Sequence, residues 1–214
     1  MKILLSGFEP FGDHTRNPSQ DLVLRLPEVL DGGVTILKTI LPVDHIQAPQ
    51  ILLEEIAKHQ PHAVLSFGLA SGRARIGLER VALNLKDFRI ADNAGVIIQD
   101  QPIFEDGPTA YFSSLPLRKM LMALQSVGIP SEISLSAGAY LCNQIFYVMM
   151  HEIEQKNLPT RAGFIHLPAL PEQAAKADKA LPSLSMEIVI RATHILISQL
   201  HQGQSAEPRH IDPE

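Results

Sequence analysis

The chain has a single cysteine, Cys142, and the residues around it place it where a strand gives way to a helix. Glu132 to Ser136 reads as a short strand and Gly138 allows a sharp turn. From Leu141 onward, Ile145, Met149 and Ile153 recur at helical spacing. In a first helical turn the backbone N–H groups lack partners and the helix dipole is positive, so both favour a sulfur anion and lower the thiol pKa. A sulfur placed this way can attack a carbonyl carbon. His166, near the end of an apolar segment over 162–167, could take and return a proton. Glu79, in the loop region after the third strand, could fix the imidazole's tautomer and stabilise its cation. Each residue also has a plainer reading. A lone cysteine is often a small buried hydrophobe. His166 is one of nine histidines and suits a satisfied core residue, and Glu79 beside Arg80 suits a surface ion pair. Only their convergence would make a covalent hydrolase.

The elements that must bring them together can be read from periodicity. Lys2 to Ser6 is an apolar strand, and Asn17-Pro18 caps and opens a helix. Val34 to Ile40 is β-branched. A helix over 45–59 follows, with Ile46, Leu52, Leu53 and Ile56 near one face, and Ala63 to Phe67 is a third buried strand. The stretches 80–90 and 95–103 alternate and are expected to form a strand pair or an excursion near Asp92-Asn93. Leu117, Met120, Leu121 and Leu124 give a helix that stops at Gly128. After the strand at Glu132, the helix at Cys142 and the strand Ala162–Leu167, a last helix covers 185–200. Alternating strands and helices imply one α/β domain over 1–201: an open, mostly parallel twisted sheet sandwiched between helices in three layers. Residues 202–214, with two prolines and no periodicity, are expected to form a mobile tail. In such sheets, ligands bind where loops converge at the carboxyl ends of the strands. Phe8, Phe11, Glu79, Cys142 and His166 all fall on such loops or ends.

Composition narrows the partners. The chain has 214 residues, 45% of them apolar, and a net charge of −5 with no run of like charge, which argues against nucleic acid or an anionic membrane surface. A single cysteine cannot form an internal disulfide and suits a reducing compartment, and Met1 to Ser6 is too short for a signal segment. The expected location is therefore cytoplasmic, with no membrane partner. The run Gly68-Leu69-Ala70-Ser71-Gly72-Arg73-Ala74-Arg75-Ile76-Gly77 invites a phosphate reading. It lacks the Walker and dinucleotide patterns, and a structural turn accounts for it more simply. No residues stand at metal-ligand spacing, so no metal and no cofactor is expected.

Six spaced blocks resemble the pyroglutamyl peptidase I family, also called pyrrolidone carboxyl peptidases, which are cytosolic cysteine peptidases. They are Gly7-Phe8-Glu9-Pro10-Phe11-Gly12 with Asn17-Pro18-Ser19; Glu79 to Asn84; Asp92-Asn93 with Gly95; Pro102 to Pro108; Ala137-Gly138 through Cys142-Asn143; and Gly163-Phe164-Ile165-His166 with Pro168. The resemblance implies removal of an N-terminal pyroglutamyl (5-oxoproline) residue from peptides through a thioester. In it Cys142 is the nucleophile, His166 the base and then acid, Glu79 the orienting carboxylate, and Arg89 part of the oxyanion site with the Cys142 backbone N–H. It also implies a homo-oligomer, a tetramer. A flat uncharged lactam suits aromatic walls, and Phe8, Phe11 and Tyr140 match the family's apolar pocket. The lactam N–H and C=O need partners too, and the resemblance offers Asn17 and the main chain near Leu69 and Leu141.

The sequence departs from the family at three positions. Leu69 stands where the family usually has Gln, Val43 where many members have Thr, and Leu135 where Asn is common. These changes bear on selectivity more than on reaction type. Two other readings stay open: a binder of pyroglutamyl or related lactam ends with little or no turnover, and a nucleoside-phosphorylase-like transferase, the latter on fold analogy alone.

Overall fold

The computed structural model describes residues 1–12 and 15–201. In chain order the elements are β1 (Lys2–Phe8), α1 (Pro18–Arg25), β2 (Val29–Leu30), β3 (Val34–Leu41), α2 (Gln47–His59), β4 (Ala63–Leu69), β5 (Ile76–Glu79), β6 (Val81–Leu83) and β7 (Ala110–Phe112). They continue with α3 (Leu117–Ser126), β8 (Ser131–Ser134), α4 (Leu141–Gln155), β9 (Arg161–Leu167), α5 (Pro171–Ala174) and α6 (Met186–His201). Seven strands form one sheet in the order β2-β3-β1-β4-β9-β5-β8, and β6 and β7 form a separate pair. The central strands β1, β3, β4 and β9 run parallel; β5 is antiparallel to β9, and β2 folds back antiparallel on β3. The mostly parallel three-layer architecture read from the sequence is the one observed. The expected tail, 202–214, lies outside the described residues.

The alternation of side chains along each strand sorts the core into two clusters. Ile3, Leu5, Leu65, Phe67, Ile165 and Leu167 point to one face, where α1, α3 and α6 contribute Leu22, Met120, Leu124, Val189 and Leu196. Leu4, Val64, Ala162 and Phe164 point to the other, against Leu52 and Ile56 of α2 and Ile145, Phe146, Met149 and Ile153 of α4. All seven residues of β4 are buried, as expected for a strand covered on both faces. Each fully buried Leu, Ile or Phe in these clusters contributes about 1.5–3 kcal/mol.

That parity also aims the chemistry. His166 shares its face with Ala162 and Phe164, and Glu79 lies on the face opposite Leu78, so both look toward α4. Local signals set the helix starts. Asn17 Oδ1 accepts the Ser19 N–H at 3.1 Å with Pro18 in the first turn, and Gly138, at φ 80°, turns the chain from β8 toward α4.

Of the two forms expected for 80–90 and 95–103, a strand pair or an excursion near Asp92-Asn93, the structure shows the excursion. Their backbones pair at an isolated Lys86–Gln101 bridge and through a Phe88 N–H to Ile98 carbonyl bond of 2.6 Å, while β6 pairs with β7. Residues 84–109 are therefore an excursion, and Asn84 closes it by holding the Ile103 and Phe104 N–H groups and the Phe104 and Gly107 carbonyls. Glu79 does not lie in a loop. It ends β5, a strand too short and too glycine-interrupted to show a period. β2 gives no sequence signal, because two residues carry no period.

Candidate active site

Cys142 is the second residue of α4, and its sulfur rests on the backbone of β4: a Cβ built at Gly68 would lie 2.8 Å from Sγ. His166 sits between Gly68 on β4 and Gly77 on β5, each registered opposite it. Its Nδ1 is 2.7 Å from Glu79 Oε1, a pair in which the imidazole is 4% exposed and Glu79 0%. This bond fixes the tautomer: Nδ1–H donates to the carboxylate, which leaves Nε2 as the lone-pair nitrogen. Burial by itself would push the Glu79 carboxyl up. The hydrogen bond and charge of His166, with Ser134 and Arg73 beside it, outweigh that and hold it below its ordinary value.

The thiol runs against the sequence-based expectation. Burial, helped by the Glu79 charge, pushes Cys142 up to about 12. The helix-start N–H and Arg73 act the other way and do not compensate. Desolvation depends on tertiary packing, which a helix start alone does not reveal. Among the described residues the sulfur makes no hydrogen bond to His166 in this resting arrangement, although both line one cavity.

That cavity, of about 610 Å³, takes in nine of the ten residues singled out from the sequence; Glu79 stands behind His166. Its lining includes the apolar or aromatic Phe8, Phe11, Val43, Leu69, Tyr140 and Leu141. The Tyr140 ring packs edge-on to Phe88 at 4.8 Å and is tilted to Phe11 at 6.4 Å, and its hydroxyl donates to the Ala91 carbonyl. Arg73, Asp87, Arg89 and His166 also line it. Arg89 lies at the exposed rim. Asn17 reaches the cavity with its amide already engaged: Oδ1 accepts from Ser19, and Nδ2 donates to the Glu9 carbonyl at 3.0 Å.

Several supporting residues escaped the sequence reading. Asn143, next to the cysteine, accepts the Leu83 N–H and donates to the Leu83 and Leu85 carbonyls, stapling the start of α4 to the excursion. Glu9 Oε1 accepts from Val43 N–H and from Asn93 Nδ2, joining three loops of the cavity wall. Arg73 leaves the glycine-rich turn to reach Glu79, so that turn is structural but also delivers a charge. Asp44, His45 and Asp92 bring possible ligand atoms within 4.8 Å of one another. Asp92 is spent on His45 and the Ala94 and Val96 N–H groups, and Asp44 on Ile46 and Gln47. The cluster thus serves as a helix cap and loop clamp.

A family model described as pyroglutamyl peptidase matches residues 1–202. The chain belongs to the pyroglutamyl peptidase family. Its relatives include pyrrolidone-carboxylate peptidases of Vibrio vulnificus, 44% identical with 92% of this chain and 91% of that one covered, and of Bacillus licheniformis, 43% identical with 96% of each covered. Among solved structures, the pyroglutamyl peptidase I of Bacillus amyloliquefaciens superposes with a TM-score of 0.89 at 39% identity, covering 93% of this chain and 94% of that one. A variant pyrrolidone carboxyl peptidase of Pyrococcus furiosus gives 0.92 at 38% identity, covering 94% and 99%. A match of this extent leaves no support for the phosphorylase reading, which rested on fold analogy. Among the described residues no helix is long and apolar enough to cross a membrane.

Proposed function

We propose that this member of the pyroglutamyl peptidase family cleaves the bond after an N-terminal pyroglutamyl residue, with Cys142 as nucleophile, His166 as proton carrier and Glu79 as its orienting carboxylate. The observation that carries the reading is the buried Glu79–His166 pair, at 2.7 Å, on the wall of the cavity that also holds Cys142 and aromatic side chains. Burial raises the thiol, so its proton passes to His166 Nε2 as sulfur attacks the scissile carbonyl. The new imidazolium is held by Glu79. The carbonyl oxygen gathers negative charge at the start of α4, where the Cys142 N–H lacks an intrahelical partner and Arg89 lies at the rim. His166 then protonates the departing amine and leaves a pyroglutamyl thioester. Water, losing a proton to the same nitrogen, releases 5-oxoproline and restores the thiol.

The lactam ring fits against the apolar lining, between Phe8, Phe11 and Tyr140, with Leu69 and Leu141 supplying main-chain groups and Asn17 fixing the loop that carries Phe11. The substrates are thus peptides that begin with pyroglutamate. The single cysteine and the family resemblance support a cytoplasmic homo-oligomer, a tetramer, which light scattering would test. A second reading, a lactam binder with little turnover, is favoured by the raised thiol and by Leu69 and Val43 on the wall. One assay separates the two: release of a fluorescent amine from pyroglutamyl, prolyl and glutamyl amides by the wild type and Cys142→Ala. Repeated turnover of the pyroglutamyl amide alone, lost in Cys142→Ala, supports the peptidase. Stoichiometric binding without release, or undiminished turnover by the variant, refutes it.

A further inference from the structure

Arg73 lies outside the roles assigned above, yet its guanidinium makes three contacts at the rear of the catalytic centre. Nη1 donates to Glu79 Oε1 at 2.8 Å and to Ser134 Oγ at 3.3 Å, and Nη2 donates to the Ser136 carbonyl at 3.0 Å. The carboxylate oxygen that receives Nη1 is the one that receives His166 Nδ1. The fork therefore ties the glycine-rich turn after β4 to β5, to the end of β8 and to the segment between β8 and α4. Space for it is made by Gly77, where a Cβ would lie 2.9 Å from Nη1 and 3.3 Å from Glu79 Oε1.

We propose that Arg73 is a positioning residue of this centre, holding the Glu79 carboxylate on His166 and supplying the positive charge that offsets Glu79 beside the sulfur. The proposal rests on the roles given above to Cys142, His166 and Glu79. Its physical basis is charge balance. A lone carboxylate near a thiol opposes formation of the thiolate, whereas a carboxylate paired with a guanidinium presents almost no net charge. When the proton moves from sulfur to imidazole, the surroundings then need no compensating change. The direction of Arg73's influence on both Cys142 and Glu79, lowering each, agrees with this. Other ionisable groups facing the same cavity are Asp87 and Arg89 from the excursion and Tyr140 from the turn before α4. All three remain in place when Arg73 is changed.

The test compares wild type, Arg73→Met and Arg73→Lys by two readouts, after thermal melts establish that each is folded. The first is the pH dependence of Cys142 alkylation by iodoacetamide, which needs only the thiol. The second is the pH profile of kcat and KM for a pyroglutamyl amide. For Arg73→Met the alkylation rate at neutral pH should fall about tenfold. Both limbs of the turnover profile should move to higher pH, with the loss in kcat and not in KM. Arg73→Lys keeps the charge but not the fork, so its alkylation rate should stay at the wild-type value while kcat falls several-fold. A wild-type alkylation rate in Arg73→Met, or equal losses of kcat in the two variants with unchanged alkylation rates, overturns the proposal. If the wild type fails to turn over the amide yet the alkylation rate falls as described, the peptidase reading fails and the assignment of Arg73 stands.

Discussion

Replacing Gly68 with alanine tests how tightly the nucleophile is placed. The added Cβ would sit 2.8 Å from Cys142 Sγ and 2.9 and 3.1 Å from two ring atoms of Phe164, which is fully buried. Gly68 pairs with His166 and Leu69 with Leu167 in the ladder of β4 and β9, so the backbone has little freedom to retreat. The sulfur, at the end of a single rotatable bond, is the atom that must move. Relief of the overlap needs a shift of roughly 1 Å, and displacement of that size at a reacting atom costs on the order of 10²-fold in rate. Overpacking of this kind also destabilises by about 1–3 kcal/mol, which lowers Tm by roughly 2–12 °C in a domain of this size. Gly163→Ala is the control. Its Cβ would collide with Ser113 Oγ and the Leu115 side chain, in the core and away from the sulfur. Steady-state kinetics on a pyroglutamyl amide, paired with thermal melts, should show Gly68→Ala losing far more kcat than Gly163→Ala at comparable Tm. Equal kcat in the two variants, or wild-type kcat in Gly68→Ala, would refute the placement of the sulfur against β4.

Other expectations follow from the same geometry. Glu79→Gln removes the charge that holds His166 Nδ1 and Arg73, and should lower kcat by at least about 10²-fold with KM changed only a few-fold; a wild-type kcat would contradict the role given to Glu79. Asn143→Ala leaves the Leu83 N–H and the Leu85 carbonyl without their buried partner, while the Leu83 carbonyl keeps the Leu85 N–H, at a cost of about 1–3 kcal/mol in urea unfolding; a loss near zero would contradict it. Asp92 is depressed below 3.8 despite the opposing effect of burial, because the Val96 and His45 N–H groups and the His45 ring hold its charged form. The stabilisation from Asp92 is complete above its unfolded pKa and lost as pH falls through the folded value. Wild-type Tm should therefore drop below about pH 4 more steeply than that of Asp92→Asn, and parallel curves would remove Asp92 as a source of acid sensitivity.

The sequence revealed the site more readily than it revealed the strands that build it. The Asn17-Pro18 helix start, the apolar runs of β1 and β4 and the spacing from Leu141 to Ile153 are local signals, and the structure reproduces them. Cys142 and His166 could be singled out because each follows or ends such a segment. β5 is not legible in the sequence because four residues including Gly77 show no period, and its place is set by β8 and β9, distant in the chain. The β6–β7 pair closes a long excursion, and because β7 lies beyond 80–103, alternation within that stretch leaves a strand pair and an excursion both open. Arg73 was hidden in a turn whose glycines explained themselves. The thiol's pKa is hidden for a related reason: helix position is visible in the sequence, whereas the burial that outweighs it is a property of the packed molecule.

Whether the sulfur of Cys142 carries the acyl group can be tested by rapid acid quench during hydrolysis of an activated pyroglutamyl ester, followed by peptide mass mapping. One pyroglutamyl group should be found on the peptide containing Cys142, released by hydroxylamine. Hydrolysis that proceeds while Cys142 stays unmodified throughout, or that leaves the group on another residue, would contradict it.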